Sequence, residues 1–241
     1  MAAAVLEGLQ ESARTQLGLN LTRRQLDAFG WYASELIDWN ERHNLTAITD
    51  PQDIQVKHFL DSLTCLLAIR LKAGDRVVDV GTGAGFPGLP LRIVSPQIQL
   101  TLVEATGKKA EFCRHVVREL ALEGVEVLHA RVEEVGHQGG QREVYDWAVA
   151  RAVAQLPVLV EYMLPLLRVG GKAVALKGET GPAEAQASEE ALRLLGGHVD
   201  SLIPIELPRV SESRYLVVIS KRAATPAAYP RRAGKPAKDP L

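Results

Sequence analysis

The fold is decided by the stretch DVGTGAGFPGLPL, residues 79–91, which follows a pair of valines at residues 77–78. Gly81, Gly83 and Gly85 stand where a strand is expected to turn into a helix. Glycine there accepts a positive φ and lets the main chain approach a ligand closely, and the next helix begins with free N–H groups. In a doubly wound sheet such a bend borders the crevice for nucleotide-like ligands. A glycine-rich connector without a ligand is the alternative.

The ligand of this loop is not decided by the glycines, because they also satisfy the dinucleotide pattern Gly-x-Gly-x-x-Gly. Asp79 favours a ligand with an ammonium group, such as the methionine part of S-adenosylmethionine, and would repel a diphosphate. Pro87 and Pro90 lack the N–H donors that a pyrophosphate needs. A methyl donor is therefore preferred, and NAD remains the alternative.

From residue 72 onward, short β-branched runs alternate with helical ones, as in βα units around a parallel sheet. Strands are expected at 76–80, 99–104, 125–129, 147–150, 172–177, 203–207 and 215–221, and helices at 89–94, 108–122, 156–167 and 182–195. Only a short turn-rich segment separates the last two strands, which predicts an antiparallel hairpin. The fold class is α/β, with a seven-stranded, mostly parallel sheet.

These predicted helices and strands divide the chain into three regions. Residues 1–71 form an N-terminal helical extension that packs on the core, with Thr22 as a helix cap and a further helix from Asp61. Its first helix is predicted from apolar residues at helical spacing, Leu6, Leu9, Ala13 and Leu17. Residues 72–222 form a Rossmann-like core. Residues 223–241 form a basic tail rich in proline and alanine, which cannot make a strand or a long helix.

Composition indicates an ordinary globular chain of 241 residues, with 28 basic and 29 acidic side chains. Cys65 and Cys113 are far apart and show no ligand spacing, so neither a disulfide framework nor a metal site is expected. No basic leader and no membrane-length apolar stretch is visible. We expect a cytoplasmic monomer without metal or membrane association.

Two carboxylates follow the second and third predicted strands. Glu104 stands at the spacing where a βαβ unit presents a carboxylate to ribose hydroxyls, although it could instead cap the next helix. Val132 and Glu133 lie where an adenine edge would sit in such a fold. A solvated helix start is nearly as good an interpretation of these two residues.

Five stretches together resemble the glucose-inhibited division protein B family. They are NLTAITDPQDIQVKHFLDSL (44–63), VVDVGTGAGFPGLPLRI (77–93), LVEATGKKAEFC (102–113), YDWAVARAV (145–153) and GGKAVALKG (170–178). The resemblance implies a class I S-adenosylmethionine-dependent methyltransferase that acts on guanine N7 in the 530 loop of 16S ribosomal RNA. It also implies the 30S subunit as partner and S-adenosylhomocysteine as product.

By matching position, the resemblance implies a methyl-donor site made of Gly81, Phe86, Glu104, Ala105, Thr106, Val132, Glu133 and Arg151. Two residues depart from the family pattern. Glu104 stands where many members have Asp, which preserves the charge. Gln155 stands where Pro or Ser is common, which affects the shape of the loop facing the substrate.

The chemistry implied for guanine N7 needs no general base, because the nitrogen already carries a free lone pair. Catalysis then depends on alignment of the two reactants, which can supply roughly 7–11 kcal/mol. Arg151 is the catalytic candidate, as a positioning residue for the donor carboxylate, the guanine O6 or a phosphate; an ordinary ion pair is the alternative. His58 is interpreted as a buried structural residue.

Positive charge for the RNA is expected from Lys108, Lys109, Lys177, Arg231 and Arg232. Lys108 and Lys109 stand near a helix start, where cations are disfavoured, so a phosphate partner would explain them. A solvated face is the commoner meaning of such charges, and a strand-end ion pair is an equal alternative for Lys177. Phe86, or Tyr229 beside Arg231 and Arg232, is a candidate for stacking on an unpaired base, although packing is the commoner role of a lone aromatic residue.

Two other functions are compatible with the same residues. One is a methyltransferase for a small metabolite, which would show no steep salt dependence. The other is an RNA-binding assembly factor whose donor pocket has lost its activity.

Overall fold

The computed structural model describes the main chain of residues 2–241 and the side chains of residues 8–241, so the side chain of Leu6 lies outside its described part. The N-terminal extension begins with α1 (Ala2–Leu17) and α2 (Arg23–His43). The Thr22 side chain accepts from the N–H of Gln25, and the Gln25 side chain accepts from the N–H of Thr22. The predicted cap is confirmed, and it takes the form of a capping box.

The third helical segment, α3, starts earlier than the sequence predicts. It consists of four consecutive pieces: Pro51–Asp53, the π-helical Ile54–Leu60, Asp61–Leu63 and the 3-10 helix Thr64–Leu67. Asp50 caps its first turn by accepting from the N–H groups of residues 52 and 53. Asp61, predicted as the start, lies in the middle of α3 and is buried.

The sheet has seven strands in the order β3-β2-β1-β4-β5-β7-β6. They are β1 (Arg76–Val80), β2 (Gln99–Glu104), β3 (Val125–His129), β4 (Tyr145–Arg151), β5 (Leu167–Lys177), β6 (Gly197–Ile205) and β7 (Arg214–Lys221). The first five are parallel, and β7 is antiparallel to both β5 and β6. The mostly parallel sheet and its antiparallel hairpin are confirmed.

Seven further helices connect and follow these strands. They are α4 (Gly88–Val94), α5 (Gly107–Glu119), α6 (Val132–Val135), α7 (Leu156–Met163), α8 (Gly181–Ala187), α9 (Glu189–Leu195) and α10 (Lys235–Lys238). The single helix predicted over 182–195 is wrong. Ser188 interrupts it, and the buried Ser188 hydroxyl donates to the carbonyl of Glu184 at 2.7 Å.

The strand predicted over 203–207 starts too late, since β6 already begins at Gly197. Most of its first residues are partly or fully exposed, because β6 is the edge strand of the sheet. An edge strand does not need a continuous apolar run, so hydrophobicity locates only its buried end, at Ile205.

Helices cover both faces of the sheet. On one face α1 to α5 share a core with alternate strand residues, such as Phe29 and Leu89 with Val77. On the other face α7, α8 and α9 pack on the remaining strand residues, such as Leu159 with Val78. The described residues of the helical extension therefore share one core with the sheet. No helix of residues 2–241 is long and apolar enough to cross a membrane.

Candidate functional site

A cleft of about 370 Å³ lies at the carboxyl edge of the sheet, at the end of β1, where the strand order reverses. Ligands bind at this position in open α/β sheets. Its lining comes from the ends of β1 to β3, the start of α6, the loop after β4, α7 and the tail: Val80, Gly81, Val103, Glu104, Ala105, Thr106, Ala130, Arg131, Val132, Glu133, Val153, Ala154, Tyr162 and Ala237.

A larger cleft of about 640 Å³ lies at the opposite edge of the sheet. It is formed by the start of α2 and the ends of α4 and α5, with Thr22, Arg92 and Glu123 among its residues. It contains neither the glycine loop nor the carboxylates that follow β2 and β3. The smaller cleft is therefore the candidate site.

The glycine loop needs its glycines for two different reasons. Gly81, Gly83 and Gly85 all have positive φ, at +66°, +61° and +98°. A Cβ on Gly81 would lie 2.7 Å from a methyl of Val153 in the loop after β4. A Cβ on Gly83 would meet nothing within 4 Å. The main chain of Gly81 thus approaches the loop after β4 as closely as glycine allows.

Asp79 does not face the cleft, which corrects the prediction that it meets the ligand's ammonium group. The Asp79 side chain is completely buried, and its Oδ2 accepts from the Thr82 hydroxyl at 2.6 Å and from the N–H of Gly88 at 2.7 Å. Burial raises the pKa of Asp79 to about 7, although both hydrogen bonds lower it. The carboxyl group therefore fixes the conformation of the glycine loop from the side of the core.

Glu104 joins the glycine loop to the end of β2. Its Oε2 accepts from the N–H of Gly83 at 2.9 Å and its Oε1 accepts from the N–H of Thr106 at 2.7 Å. Each carboxylate oxygen has two lone pairs, so both can still accept a further hydrogen bond. Ala105 and Thr106 follow as exposed residues of the cleft wall.

Val132 and Glu133 form the start of α6 and line the same cleft. Glu133 is buried, and its Oε1 accepts from the N–H of Gly234 in the tail at 2.8 Å. Burial and the nearby carboxylates Glu133 and Glu161 raise the pKa of Tyr162 to about 12. Tyr162 comes from the last turn of α7 and was not among the predicted site residues.

Phe86 is buried in an aromatic stack instead of being available to an RNA base. Its ring stacks with Tyr32 at 5.3 Å between centroids and with His58 at 4.4 Å. Only 4% of Phe86 is exposed. The prediction that Phe86 stacks on an unpaired base is therefore wrong for this conformation. Tyr32 also donates from its hydroxyl to the carbonyl of Ala84, so α2 supports the loop directly.

Arg151, at the end of β4, is held by α3. Its Nη1 donates to Oδ2 of Asp61 at 2.8 Å and to the carbonyl of Lys57 at 2.8 Å. Its guanidinium carbon lies 5.1 Å from the centroid of the Phe86 ring. Arg214, at the start of β7, donates to the other Asp61 oxygen at 3.3 Å. The sequence analysis missed Asp61 and Arg214, which are distant from β4 along the chain.

His58 completes this cluster as a neutral residue. Arg151 Nη2 lies 3.0 Å from His58 Nδ1, and a guanidinium can only donate, so Nδ1 accepts. The ring proton therefore sits on Nε2 and is donated to the Thr46 hydroxyl at 2.9 Å. Burial and the Arg151 charge lower the pKa of His58 to about 3.

The predicted RNA contacts divide into internal and surface cations. Lys177 donates to Glu184 at 2.6 Å and to the carbonyl of Ala154 at 2.8 Å, with 9% of its side chain exposed. Arg231 is likewise paired with the buried Glu161, at 2.6 Å. Both cations are thus engaged by protein groups, because each has a carboxylate within reach.

Lys108, Lys109 and Arg232 remain at the surface. Lys108 and Arg232 are exposed and Lys109 is partly exposed. Lys108 and Lys109 lie in the first turn of α5, immediately after the cleft residue Thr106. Among the side chains of residues 8–241, no group of three His, Cys, Asp or Glu is arranged to hold a metal ion.

Solved structures share this fold. A SAM-dependent methyltransferase from Aquifex aeolicus has a TM-score of 0.54 and 18% identity, and the match covers 73% of this chain and 96% of that one. TYW2 from M. jannaschii, solved in complex with AdoMet, has a TM-score of 0.53 and 15% identity, and the match covers 65% of this chain and 73% of that one. At these identities the likeness establishes the Rossmann-like α/β fold alone.

Full-length relatives are much closer in sequence. A protein named ribosomal RNA small subunit methyltransferase G from Pelotomaculum thermopropionicum is 46% identical over 99% of this chain and 100% of its own length. One of the same name from Roseiflexus castenholzii is 51% identical over 94% of this chain and 96% of its own. The family model for GidB, described as rRNA small subunit methyltransferase G, matches residues 25–209, which include the glycine loop, Glu104, Glu133 and Arg151. The chain therefore belongs to the GidB family.

Proposed function

We propose that this chain transfers a methyl group from S-adenosylmethionine to N7 of a guanine in the 530 loop of 16S ribosomal RNA. One observation carries the proposal. The region that matches the family, residues 25–209, contains the cleft residues at the end of β1, β2 and β3 together with Arg151, Asp61 and His58. The 30S subunit as partner, a monomeric state and a cytoplasmic location are parts of the same proposal.

The cleft residues fit an adenosyl donor. Glu104 has spare lone pairs for ribose hydroxyls, and the Cβ position of Gly83, whose N–H it binds, has nothing within 4 Å. Val132 supplies an apolar contact and Glu133 an acceptor for the adenine, while Ala105 and Thr106 close one side. Asp79 does not contact the donor; it fixes the shape of the glycine loop by accepting from the N–H of Gly88. Phe86 supports the same loop through its stack with Tyr32.

When bound, S-adenosylmethionine supplies an electrophilic methyl group, and guanine N7 supplies a lone pair without losing a proton. The protein therefore has to orient two reactants and exclude water. Arg151 is fixed by Asp61 and by the main chain of α3, so its guanidinium is pre-positioned at the carboxyl edge next to the loop. His58 has both ring nitrogens occupied and removes no proton.

The RNA is expected to meet the surface cations near the cleft. Lys108 and Arg232 are exposed and Lys109 is partly exposed, and these three are the contacts we expect the RNA to use. Lys177 and Arg231 have a structural role through Glu184 and Glu161 in this structure. Phosphate contacts make RNA binding weaken steeply with salt, in contrast to a small acceptor.

The test is methyl transfer by the purified chain to 30S subunits and to free 16S ribosomal RNA that lack the modification. Nucleoside mass spectrometry should find one N7-methylguanine, and mapping of the fragments should place it in the 530 loop. Glu104→Gln should lower the yield strongly, because it removes the charge that faces the donor. Glu111→Gln, on the exposed face of α5, is the matched control and should leave the yield unchanged.

Two results would reject the proposal. Methylation of small molecules alone would assign the cleft to metabolite chemistry. Stoichiometric binding of ribosomal RNA without turnover, unaltered by Glu104→Gln, would assign the chain to RNA binding without catalysis.

A further inference from the structure

The C-terminal tail returns to the cleft and is fastened along its course. Arg142, in the loop after α6, is the first fastening. Its Nη1 donates to the carbonyls of Gly136 at 2.9 Å and Tyr229 at 2.7 Å. Its Nη2 donates to the carbonyl of Thr225 at 2.8 Å. One guanidinium thus joins α6 to two separate points of the tail.

Arg231 is the second fastening. Its main-chain N–H, Nε and Nη2 donate to the Glu161 carboxylate at 2.7, 3.0 and 2.6 Å. Glu161 is completely buried within α7. A buried carboxylate without its partner is strongly unfavourable, so this pair holds the tail in one register.

The tail then packs on the end of α6. The carbonyl of Pro230 lies 2.6 Å from His137 Nε2, which donates to it. A Cβ on Gly136 would lie 2.7 Å from Cγ of Pro230 and 2.8 Å from its Cδ. Gly136 has φ of −62°, so any L-residue can adopt its backbone conformation. The ring of Pro230 alone requires glycine here.

At the start of α6 the tail meets a residue of the donor cleft. The N–H of Gly234 donates to Glu133 Oε1 at 2.8 Å, and Ala237 in α10 lines the cleft itself. A helix of four residues, Val132–Val135, therefore carries two proposed donor contacts at its start and the docked tail immediately after its end.

We propose that residues 229–238 form a wall of the methyl-donor cleft, and that docking of this tail segment and binding of the adenosyl ligand strengthen each other. The inference rests on the proposed function for the nature of the ligand. The tail is then part of the donor site, in addition to any contact that Arg232 makes with RNA. By linkage, the ligand must protect the tail by the same factor by which the docked tail strengthens binding.

The experiment measures S-adenosylhomocysteine binding by calorimetry on three variants and the wild-type chain. Gly136→Ala displaces Pro230 without changing a residue of the cleft. Gly139→Ala is the matched control, since a Cβ there meets nothing within 4 Å. A chain ending at Gly234 removes Ala237 and keeps both fastenings. We expect Kd to rise about 5-fold or more for Gly136→Ala and for the truncated chain, and to stay unchanged for Gly139→Ala.

Hydrogen exchange gives a second readout that does not depend on the variants. Exchange at residues 229–238 of the wild-type chain should slow when S-adenosylhomocysteine is added. Unchanged exchange together with equal Kd for the wild-type and truncated chains would overturn the inference. Failure of the wild-type chain to bind S-adenosylhomocysteine at all would instead overturn the proposed function.

Discussion

Arg151 and Asp61 form a buried ion pair, Nη1 to Oδ2 at 2.8 Å, across the boundary between the sheet and the helical extension. Asp61 is 3% exposed, and its other oxygen accepts from Arg214. One carboxylate therefore fixes two cations that come from different strand ends. The extension thus positions the guanidinium proposed to orient the reactants.

Replacement of Asp61 tests this role. Asp61→Asn leaves the Arg151 and Arg214 guanidinium groups without a counter-charge in a buried site, which is expected to cost about 3–5 kcal/mol. Urea unfolding followed by circular dichroism measures the loss. Asp53→Asn is the control, because its pair with Lys57 is about one-third exposed on both sides and should contribute much less to stability. Equal losses in the two variants would contradict the importance given to burial.

Alanine substitutions in the glycine loop should have unequal effects. At Gly83 and Gly85 the positive φ costs an L-residue about 1–2 kcal/mol. At Gly85 a Cβ would in addition collide with the Tyr32 hydroxyl and the Leu89 side chain, whereas at Gly83 it meets nothing. Gly85→Ala should therefore unfold at a clearly lower urea concentration than Gly83→Ala. If the two variants have the same urea midpoint and the same m-value, α2 must shift to accommodate the added methyl group.

The bounds of the first three strands were predictable to the residue, and the direction of their side chains was available from the same pattern. β1, β2 and β3 have the predicted bounds, because each is a short run rich in β-branched or aliphatic residues. Asp79 lies two residues after Val77, and side chains at that spacing share a face. Val77 faces the core that contains α4. Because side chains alternate between the two faces of a strand, Asp79 points into the same core and does not face the cleft.

The partners of the site residues were not predictable, because they lie far along the chain. Arg231 and Glu161 are 70 residues apart, and Arg151 and Asp61 are 90 apart. A single sequence shows charge and spacing but no contact between distant segments. The same limit applies to the stack of Phe86 with Tyr32 and His58, since α2 and α3 reach the loop only in the folded chain.

The buried carboxyl group of Asp79 predicts a pH dependence of stability. Its pKa is about 7 in the folded chain and near 3.8 when exposed, so the folded chain holds a proton that the unfolded chain has lost between these values. Its contribution to stability is complete below about pH 4 and is lost as the pH rises to about 7. Relative to Asp79→Asn, the wild-type free energy of unfolding should fall by about 1.4 kcal/mol per pH unit across this window.

Urea titrations of both chains from pH 4.5 to 8 measure this difference, and other titrating groups cancel between them. A difference that is constant across the range would show that Asp79 is ionised throughout. If the wild-type free energy of unfolding instead rises with pH relative to Asp79→Asn, the pKa of Asp79 is lowered by folding and not raised.

His58 predicts the opposite dependence. Its pKa is about 3 in the folded chain and near 6.5 when exposed, so its contribution is present above about pH 6.5 and is lost as the pH falls toward 3. Nitrogen-detected NMR should find a neutral ring at pH 5, with the proton on Nε2 and Nδ1 accepting from Arg151. In Arg151→Met the pKa should rise but stay below 6.5, because burial remains the larger cause. A ring that is protonated at pH 5 in the wild-type chain would contradict the neutral state assigned to His58. It would also make His58 a candidate general base beside the glycine loop.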